Sequence, residues 1–316
     1  MTALAQVNTL EKKHLLTTES FSKDDLSLIL DVTGSMERSI AEKKKLKLLD
    51  DKILATLFFE PSTRTRLSFE TAMLRLGGQV ITIEQGEASS IAKGETLEDM
   101  GAVVSRYADI IAMRHPKAHS VEKFSTFSKV PVINAGDGPN QHPTQALLDL
   151  YTIFSEQGKL DGLTIGMIGD LKYGRTVHSL ASILEHYKIN FVFISPEELQ
   201  MPRELVLRLK DKGCTVKETS RLDEVISDLD ILYVTRVQVE RFTDAKKYSG
   251  IIKYQLTKKA LEKAKDNLDI MHPLPRVDEI LPEIDYDPKA KYFKQVENGV
   301  YLRMALLSLI LGRSNN

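Results

Sequence analysis

Apolar runs of strand length alternate with helical patterns along most of this chain, and that alternation constrains the fold more than any other feature. The run Ile53–Phe59 is typical of a buried strand, and apolar side chains then recur at helical spacing from Phe69 to Leu76. Further strands are predicted at Gln79–Ile83, Asp109–Met113 and Val130–Asn134, with a helix at Glu95–Tyr107. Such alternation is typical of parallel α/β sheets with helices on both faces.

The same alternation restarts after a long helix predicted from His142 to Gln157. Strands are predicted at Leu163–Ile168, Phe191–Ile194, Thr215–Lys217, Ile231–Thr235 and Leu268–Met271, and helices at Thr176–Tyr187, Pro202–Asp211, Leu222–Ser227 and Thr257–Lys265. We therefore predict an α/β protein with two domains, each an open, mostly parallel sheet flanked by helices. The boundary falls within or just after the 142–157 helix. The pattern leaves open which half the last helix, Gly299–Leu311, packs against.

Composition excludes several classes of protein. The chain has 43 Lys and Arg against 44 Asp and Glu, a net charge of −1, whereas a dedicated nucleic-acid binder carries a basic excess. The apolar segment Val300–Leu311 is interrupted by Arg303 and is far shorter than the roughly 20 residues that cross a bilayer. The single cysteine, Cys214, is predicted to be buried and cannot form an internal disulfide. Without a signal-peptide pattern, these features predict a cytoplasmic protein with no nucleic-acid or membrane partner.

The strongest candidate for an anion site follows the first strand. Ser62 stands where a helix N-cap is expected, and the amides of Thr63, Arg64 and Thr65 are then unpaired donors of the first turn. These donors, the helix dipole and the arginine side chains together suit a phosphate group. An ordinary capped helix with surface arginines is the alternative, and the run of phosphate-suited residues after a buried strand favours the anion site.

A second candidate is the glycine-containing loop that enters the long central helix. Pro143 suits the first helical position, which makes His142 the N-cap, and Gln145 lies on the same face. A helix N-terminus disfavours an imidazolium, so His142 is expected to be a neutral hydrogen-bond donor that polarises a carbonyl. A structural histidine is an equally good interpretation from these residues alone.

The segment Gly169–Thr176 follows a strand, opens a helix and is one residue away from a P-loop. A nucleotide-binding protein is therefore the main rival from another class. Arg175 replaces the required lysine, and Asp170 would bring a negative charge into the phosphate cradle. The strand Ile231–Thr235 also lacks a carboxylate after it that could bind a metal ion. Arg175 can instead clamp a carboxylate with two hydrogen bonds.

Most of the remaining cations also follow strands or precede helices. Arg114 follows one strand, Lys93 lies in the polar loop Ser89–Glu95, and Arg236 follows the strand that ends at Thr235. Because ligands of open α/β sheets bind at the carboxyl ends of the strands, this pattern predicts polyanionic small-molecule substrates. No Asp, Glu and His set has metal-ligand spacing, so we expect no metal and no cofactor. The chemistry that fits is group transfer by positioning and electrostatics.

Five motifs together resemble those of the aspartate/ornithine carbamoyltransferase family. They are Phe59–Thr65, which is similar to the family's carbamoyl-phosphate signature, His142–Gln145, Asp170–Arg175, Thr235–Gln238 and His272–Arg276. The resemblance covers nearly the whole chain. It implies transfer of a carbamoyl group from carbamoyl phosphate to L-aspartate, giving N-carbamoyl-L-aspartate and phosphate, which is the second step of pyrimidine (UMP) biosynthesis. It also implies a carbamoyl-phosphate domain over 1–143 plus the C-terminal helix 292–316, an aspartate domain over 158–291 and a connecting helix over 144–157.

The resemblance assigns roles residue by residue. Ser62, Thr63, Arg64 and Thr65 would hold the phosphate, and Thr65, Arg114 and His142 would polarise the carbamoyl oxygen. Gln145 and the carbonyls of Leu274 and Pro275 would hold the carbamoyl amide. Arg175, Arg236 and Gln238 would grip the carboxylates of aspartate. Lys93, together with Ser89 or its neighbour Ser90, would reach the site from the adjacent subunit of a catalytic homotrimer.

Alternatives remain inside the family. An ornithine carbamoyltransferase would carry Ser-Met-Gly after the late strand and His-Cys-Leu-Pro near the end, whereas this chain has Arg236-Val237-Gln238 and His272-Pro273-Leu274-Pro275. An arginine at 236 suits a dicarboxylate and would repel a cationic acceptor. An inactive member that serves as a binding subunit is the other alternative. The residues leave open whether a separate regulatory subunit joins the trimer to give a dodecamer.

Overall fold

The computed structural model describes residues 10–11, 13–84, 94–237 and 254–312. This part of the chain forms two parallel sheets with eight α-helices around them, which confirms the predicted α/β class. Two compact units are present: unit 1 comprises Met1–Tyr151 and Val296–Asn316, and unit 2 comprises Thr152–Gln295. The predicted limits at 143, 158 and 292 remain predictions.

Unit 1 contains a four-stranded parallel sheet with the order β2-β1-β3-β4. Its elements in chain order are α1 (Lys23–Ala41), β1 (Ile53–Phe58), α2 (Thr63–Arg75), β2 (Gln79–Glu84), α3 (Leu97–Val104), β3 (Ile110–His115), α4 (Ser120–Ser125), β4 (Val132–Asp137) and the start of α5 (Pro143–Gln157). Strands β1, β3 and β4 are almost entirely buried, as expected for a parallel sheet that is covered on both faces.

Unit 2 contains a five-stranded parallel sheet with the order β7-β6-β5-β8-β9. Its elements are β5 (Thr164–Ile168), α6 (Arg175–Leu184), β6 (Asn190–Ile194), α7 (Arg203–Asp211), β7 (Thr215–Thr219), β8 (Ile231–Val234) and β9 (Asp269–Met271), and α8 (Tyr292–Ile310) begins in it. The edge strand β7 is partly exposed, whereas β8 is buried throughout. Cys214 is buried as predicted, and loss of solvation raises the pKa of its thiol.

Two predicted helices of unit 2 are wrong. The segment Leu222–Ser227 forms two 3₁₀ turns, Leu222–Glu224 and Ile226–Asp228, and Thr257–Lys265 contains one, Lys259–Leu261. Their backbone hydrogen bonds run between residues three apart, as in Val225 to Leu222 and Leu261 to Lys258. Short connections adopt this tighter turn readily because an α-helix of so few residues leaves most of its end groups unpaired.

The helix α1 was not predicted. It is introduced by a capping box in which Ser22 and Asp25 exchange hydrogen bonds. Its buried side includes Thr33, a polar residue that interrupts the apolar pattern and is followed by Gly34. The hydroxyl of Thr33 donates to the carbonyl of Ile29 at 2.6 Å, so the polar side chain is satisfied inside the core.

Candidate functional site

The carboxyl ends of three neighbouring strands bring the candidate residues of unit 1 together. In the parallel register, Phe58 of β1 lies beside Arg114 of β3, and the amide of Phe59 donates to the carbonyl of Arg114 at 2.9 Å. Strand β4 pairs with the other side of β3 and leads into His142. The segments that follow β1, β3 and β4 therefore share one edge of the sheet, where ligands of open α/β sheets bind.

Ser62 occupies the N-cap position of α2, as predicted. Its carbonyl accepts from the amide of Arg66 at 3.1 Å, but within the described residues its hydroxyl makes no capping hydrogen bond. The first turn of the helix carries Thr63, Arg64 and Thr65, of which Thr65 is buried. Because the Ser62 hydroxyl does not cap this turn, its amides are positioned to bind an anion.

Arg114 lies close to both a carboxylate and a second cation. Its Nε lies 3.0 Å from Oε2 of Glu60, and its side chain is 11% exposed. Burial lowers the pKa of the Arg114 guanidinium, the charge of Arg64 lowers it further, and Glu60 opposes both effects. Loss of solvation also lowers the pKa of Arg64. A buried guanidinium next to a second cationic side chain favours the binding of an anion.

The loop before His142 is held by one buried carboxylate. Asp137 accepts from the amides of His119 and Gln141 and from the side-chain amides of Asn134 and Asn140, at 2.9–3.0 Å. Gly138 in this loop has φ +57°, and a Cβ there would lie 2.3 Å from the carbonyl oxygen of Pro116. The loop is therefore fixed where it delivers the chain to the start of α5.

His142 directly precedes α5, and Pro143 is the first helical residue, as predicted. His142 is 4% exposed, and its carbonyl accepts from the amides of Gln145 and Ala146. The side chain of Gln145 is partly buried, and its Nε2 donates to Oδ1 of Asp149 at 2.8 Å. The helix start thus presents a histidine and an oriented amide at the edge of the sheet.

In unit 2, the two candidate arginines follow neighbouring strands. Arg175 is the first residue of α6, after β5, and Arg236 lies two residues beyond β8. The amide of Thr235 donates to the carbonyl of Ile168 at 2.9 Å, and a Cβ on Gly169 would lie 2.1 Å from the carbonyl oxygen of Thr235. This close approach requires a glycine at 169 and keeps the two arginine-bearing loops at one edge.

The loop with the P-loop-like sequence contains a buried carboxylate. Asp170 is fully buried, and its Oδ1 accepts from the amide of Tyr173 at 2.9 Å. A negative charge therefore lies within the turn that would have to cradle phosphates. This geometry is unfavourable for a P-loop nucleotide site.

The loop after β9 is built around a buried pair. Nδ1 of His272 accepts from the amide of Leu274 at 2.8 Å, so its Nε2 carries the proton and donates to Oε1 of Glu279 at 2.7 Å. Burial by itself raises the pKa of Glu279, but the bonds from His272 and the backbone amides outweigh it and lower the pKa to about 2. Leu274 and Pro275 therefore lie in a loop of fixed shape.

Three predicted site residues fall outside the described part of the chain: Ser89, Lys93 and Gln238. Four carboxylates that the sequence analysis did not single out contact the remaining candidate residues or the loops that carry them: Glu60, Asp137, Asp149 and Glu279. Two of these carboxylates could have been found from the sequence, because Glu60 lies inside the first motif and Asp149 lies four residues after Gln145. No cluster of three His, Cys, Asp or Glu residues suited to a metal ion occurs in residues 10–11, 13–84, 94–237 and 254–312. No helix over these same ranges is long and apolar enough to span a membrane.

Comparisons with known proteins give a matching family model for each half of the chain. Residues 13–155 match the family model described as the aspartate/ornithine carbamoyltransferase carbamoyl-P binding domain, and residues 161–310 match the Asp/Orn binding domain. The aspartate carbamoyltransferase catalytic subunit of Thermococcus gammatolerans is 52% identical over 301 residues, 95% of this chain and 98% of that protein. The same subunit of Chromobacterium violaceum is 49% identical over 305 residues, 96% and 99% of the two chains.

Solved structures agree as well. The catalytic subunit of M. jannaschii aspartate transcarbamoylase has a TM-score of 0.89 and 50% identity, over 96% of this chain and 100% of that one. The Trypanosoma cruzi aspartate transcarbamoylase in complex with carbamoyl phosphate and aspartate has a TM-score of 0.91 and 42% identity, over 96% and 98%.

Proposed function

The chain belongs to the aspartate/ornithine carbamoyltransferase family, and from this premise we infer that it transfers the carbamoyl group of carbamoyl phosphate to the amino group of L-aspartate. The products are N-carbamoyl-L-aspartate and phosphate, and the reaction is the second step of pyrimidine biosynthesis. The observation that carries this assignment is the similarity to full-length relatives named aspartate carbamoyltransferase. The arginine at position 236 of this chain agrees with it, because a dicarboxylate acceptor needs a cation there.

The edge of unit 1 suits carbamoyl phosphate. Ser62, Thr63, Arg64 and Thr65 bind the phosphate with the amides and side chains of the first turn of α2. Arg114 bridges the phosphate and the carbamoyl oxygen, a role that its partly compensated, buried charge supports. Phosphate binding at a helix N-terminus needs no metal ion, and none is part of this proposal.

The chemical step is a nucleophilic attack on the carbamoyl carbon. The amino nitrogen of aspartate forms a C–N bond, the C–O bond to phosphate breaks, and the amine gives up one proton to the departing phosphate. Negative charge grows on the carbamoyl oxygen as the tetrahedral intermediate forms, and Thr65, Arg114 and His142 donate to that oxygen. Gln145 and the carbonyls of Leu274 and Pro275 accept from the carbamoyl amide. Catalysis here is positioning and electrostatic stabilisation.

The edge of unit 2 suits L-aspartate. Arg175 and Arg236 bind its two carboxylates, helped by Gln238. A guanidinium pairs with a carboxylate through two parallel hydrogen bonds, which fixes orientation as well as charge. The runner-up, an ornithine carbamoyltransferase, would have to accept a cationic side chain beside Arg236, which is unfavourable.

The assembly proposed is a homotrimer in which Ser89 and Lys93 complete the site of the adjacent subunit. The relatives' name, catalytic subunit, supports a second type of subunit in the complete enzyme. The balanced charge and the single, buried cysteine support a place in the cytoplasm.

Purified chain mixed with carbamoyl phosphate and L-aspartate tests the proposal. We expect phosphate release that depends on both substrates and that is lost in Arg64→Ala. An inactive binding subunit would release no phosphate beyond the spontaneous decomposition of carbamoyl phosphate, and this result would overturn the assignment.

A further inference from the structure

Two buried charges in unit 1 lie outside the proposed substrate contacts. Asp149 on α5 is 0% exposed, and Arg303 on α8 is 3% exposed. An ionised side chain is costly to bury unless it is paired and hydrogen-bonded, so both must have partners. Arg303 also interrupts an otherwise apolar segment of the sequence. Both residues contact the first turn of α5.

Asp149 determines which end of the Gln145 amide faces it. An ionised carboxylate only accepts hydrogen bonds, and Nε2 of Gln145 donates to Oδ1 of Asp149 at 2.8 Å. Oε1 of Gln145 is therefore the end of the amide that is left to accept a bond from a ligand. The amide end of a carbamoyl group carries only donors. If the Gln145 amide were reversed, its NH₂ group would face the NH₂ group of the carbamoyl substrate.

Arg303 joins three helices of unit 1. Its Nη1 donates to the carbonyl of Gly299 on α8 at 2.9 Å, its Nη2 lies 3.4 Å from Oγ1 of Thr144 on α5, and its guanidinium lies 4.9 Å from the centre of the Phe69 ring on α2. Burial lowers the pKa of Arg303 to about 9, with the charge of Asp149 acting in the opposite direction, so the group is still a cation at neutral pH.

Thr144 stands directly between Pro143 and Gln145, so the contact with Arg303 acts on the turn that presents His142. Phe69 belongs to the helix whose first turn contains Thr63, Arg64 and Thr65. Arg303 thus braces the two helices that carry the proposed carbamoyl-phosphate contacts.

We propose that Asp149 and Arg303 are positioning residues for recognition of the carbamoyl group. Asp149 holds the Gln145 amide with its oxygen free to accept from the substrate NH₂, and Arg303 fixes the start of α5 through its contact with Thr144. The proposal rests on the proposed function and adds two residues that touch neither substrate.

The variant Asp149→Asn tests it, because the new side chain keeps the volume but can donate as well as accept. We expect its affinity for carbamoyl phosphate to fall about tenfold, the effect of one lost oriented hydrogen bond. The inhibition constant of inorganic phosphate, which has no NH₂ group, should stay within about twofold of wild type. Equal loss for both ligands would indicate a general structural defect and would overturn the proposal.

A double-mutant cycle gives the second readout. In a Gln145→Ala background, Asp149→Asn should no longer change the affinity for carbamoyl phosphate, because the amide that it orients is gone. Arg303→Met should show the same selective loss as Asp149→Asn. Ser308→Ala, another buried polar substitution on α8, serves as the control and should leave both affinities unchanged.

Persistence of the Asp149→Asn effect without Gln145 would contradict the proposal. A Gln145→Ala variant with unchanged affinity would also overturn it, while turnover by the wild-type chain would still establish the proposed function separately. A measurement on the wild-type protein tests the proposal even where a variant does not fold. The side-chain NH₂ signals of Gln145 in a deuterated, ¹⁵N-labelled sample should hardly move when carbamoyl phosphate is added, and a large shift would mean that the NH₂ end faces the ligand.

Discussion

His272 and Glu279 form a buried hydrogen-bonded pair, with 2.7 Å between the imidazole Nε2 and the carboxylate Oε1. The same carboxylate accepts from the amides of Val277 and Asp278, at 3.0 and 3.1 Å. Despite burial, these bonds lower the pKa of Glu279 to about 2. The pair fixes the loop that carries Leu274 and Pro275, so the protonation state of Glu279 is linked to the stability of that loop.

We expect Glu279→Gln to destabilise the protein at pH 7 and to have a smaller effect in acid. A carboxylate whose folded pKa lies below its unfolded value stabilises the fold above the unfolded pKa, near 4.5, and that contribution disappears as pH falls toward 2. Its full size is on the order of 3 kcal/mol. Urea unfolding at pH 7 and pH 3 measures the difference. Glu262→Gln, an exposed control, should show little effect at either pH, and a Glu279→Gln defect that is equal at both pH values would contradict the assignment.

Arg236→Ala should weaken aspartate binding and leave carbamoyl-phosphate binding nearly unchanged. Loss of one charge-assisted pair at the acceptor carboxylate costs about 2–5 kcal/mol. Steady-state kinetics with each substrate varied in turn give the two affinities, and Arg203→Ala on the exposed side of α7 is the control. Equal loss of both affinities would refute a role in acceptor choice.

Mixing two inactive variants, Lys93→Ala and Arg64→Ala, should restore part of the activity once subunits exchange. In a mixed trimer, some sites would take Arg64 from one chain and Lys93 from its neighbour. Mass spectrometry of intact mixed trimers would confirm exchange. Activity that stays at zero after exchange has been demonstrated would count against a shared site.

His142→Ala should lower turnover strongly and weaken carbamoyl-phosphate binding only modestly. The role proposed for His142 is donation to the carbamoyl oxygen as charge develops, and loss of one such donor costs about 2.7–4 kcal/mol in the barrier. His142→Gln retains a donor but cannot act as a base, so it should keep more activity than His142→Ala. NMR titration of labelled imidazole checks the charge state directly, and an imidazolium that persists at pH 8 would contradict the neutral donor.

Much of the fold could be predicted because buried parallel strands leave a simple pattern. Strand β1 and helix α5 follow their apolar spacing closely, and the ends of β1, β3 and β8 locate Arg64, Arg114 and Arg236 by topology alone. Helix α1 was not predicted, because the buried polar Thr33 breaks the apolar spacing. The hydrogen bond from Thr33 to Ile29 becomes evident only in the folded helix.

The supporting residues were harder to predict because their partners come from elsewhere in the chain. Arg303 is separated from Thr144 by 159 residues, so no local sequence pattern predicts this contact. Glu279 and His272 are close in sequence, but only the folded loop shows that the imidazole uses both nitrogens. The sequence therefore predicts candidate substrate-binding residues better than the residues that hold them in place.

Acceptor choice tests the central claim most directly. Purified chain is given ¹³C-labelled carbamoyl phosphate with equal concentrations of L-aspartate and L-ornithine, and the carbamoylated products are identified by ¹³C NMR and mass spectrometry. We predict N-carbamoyl-L-aspartate as the labelled product, formed one for one with phosphate. Label in citrulline, or no carbamoylated amino acid at all, would contradict the account.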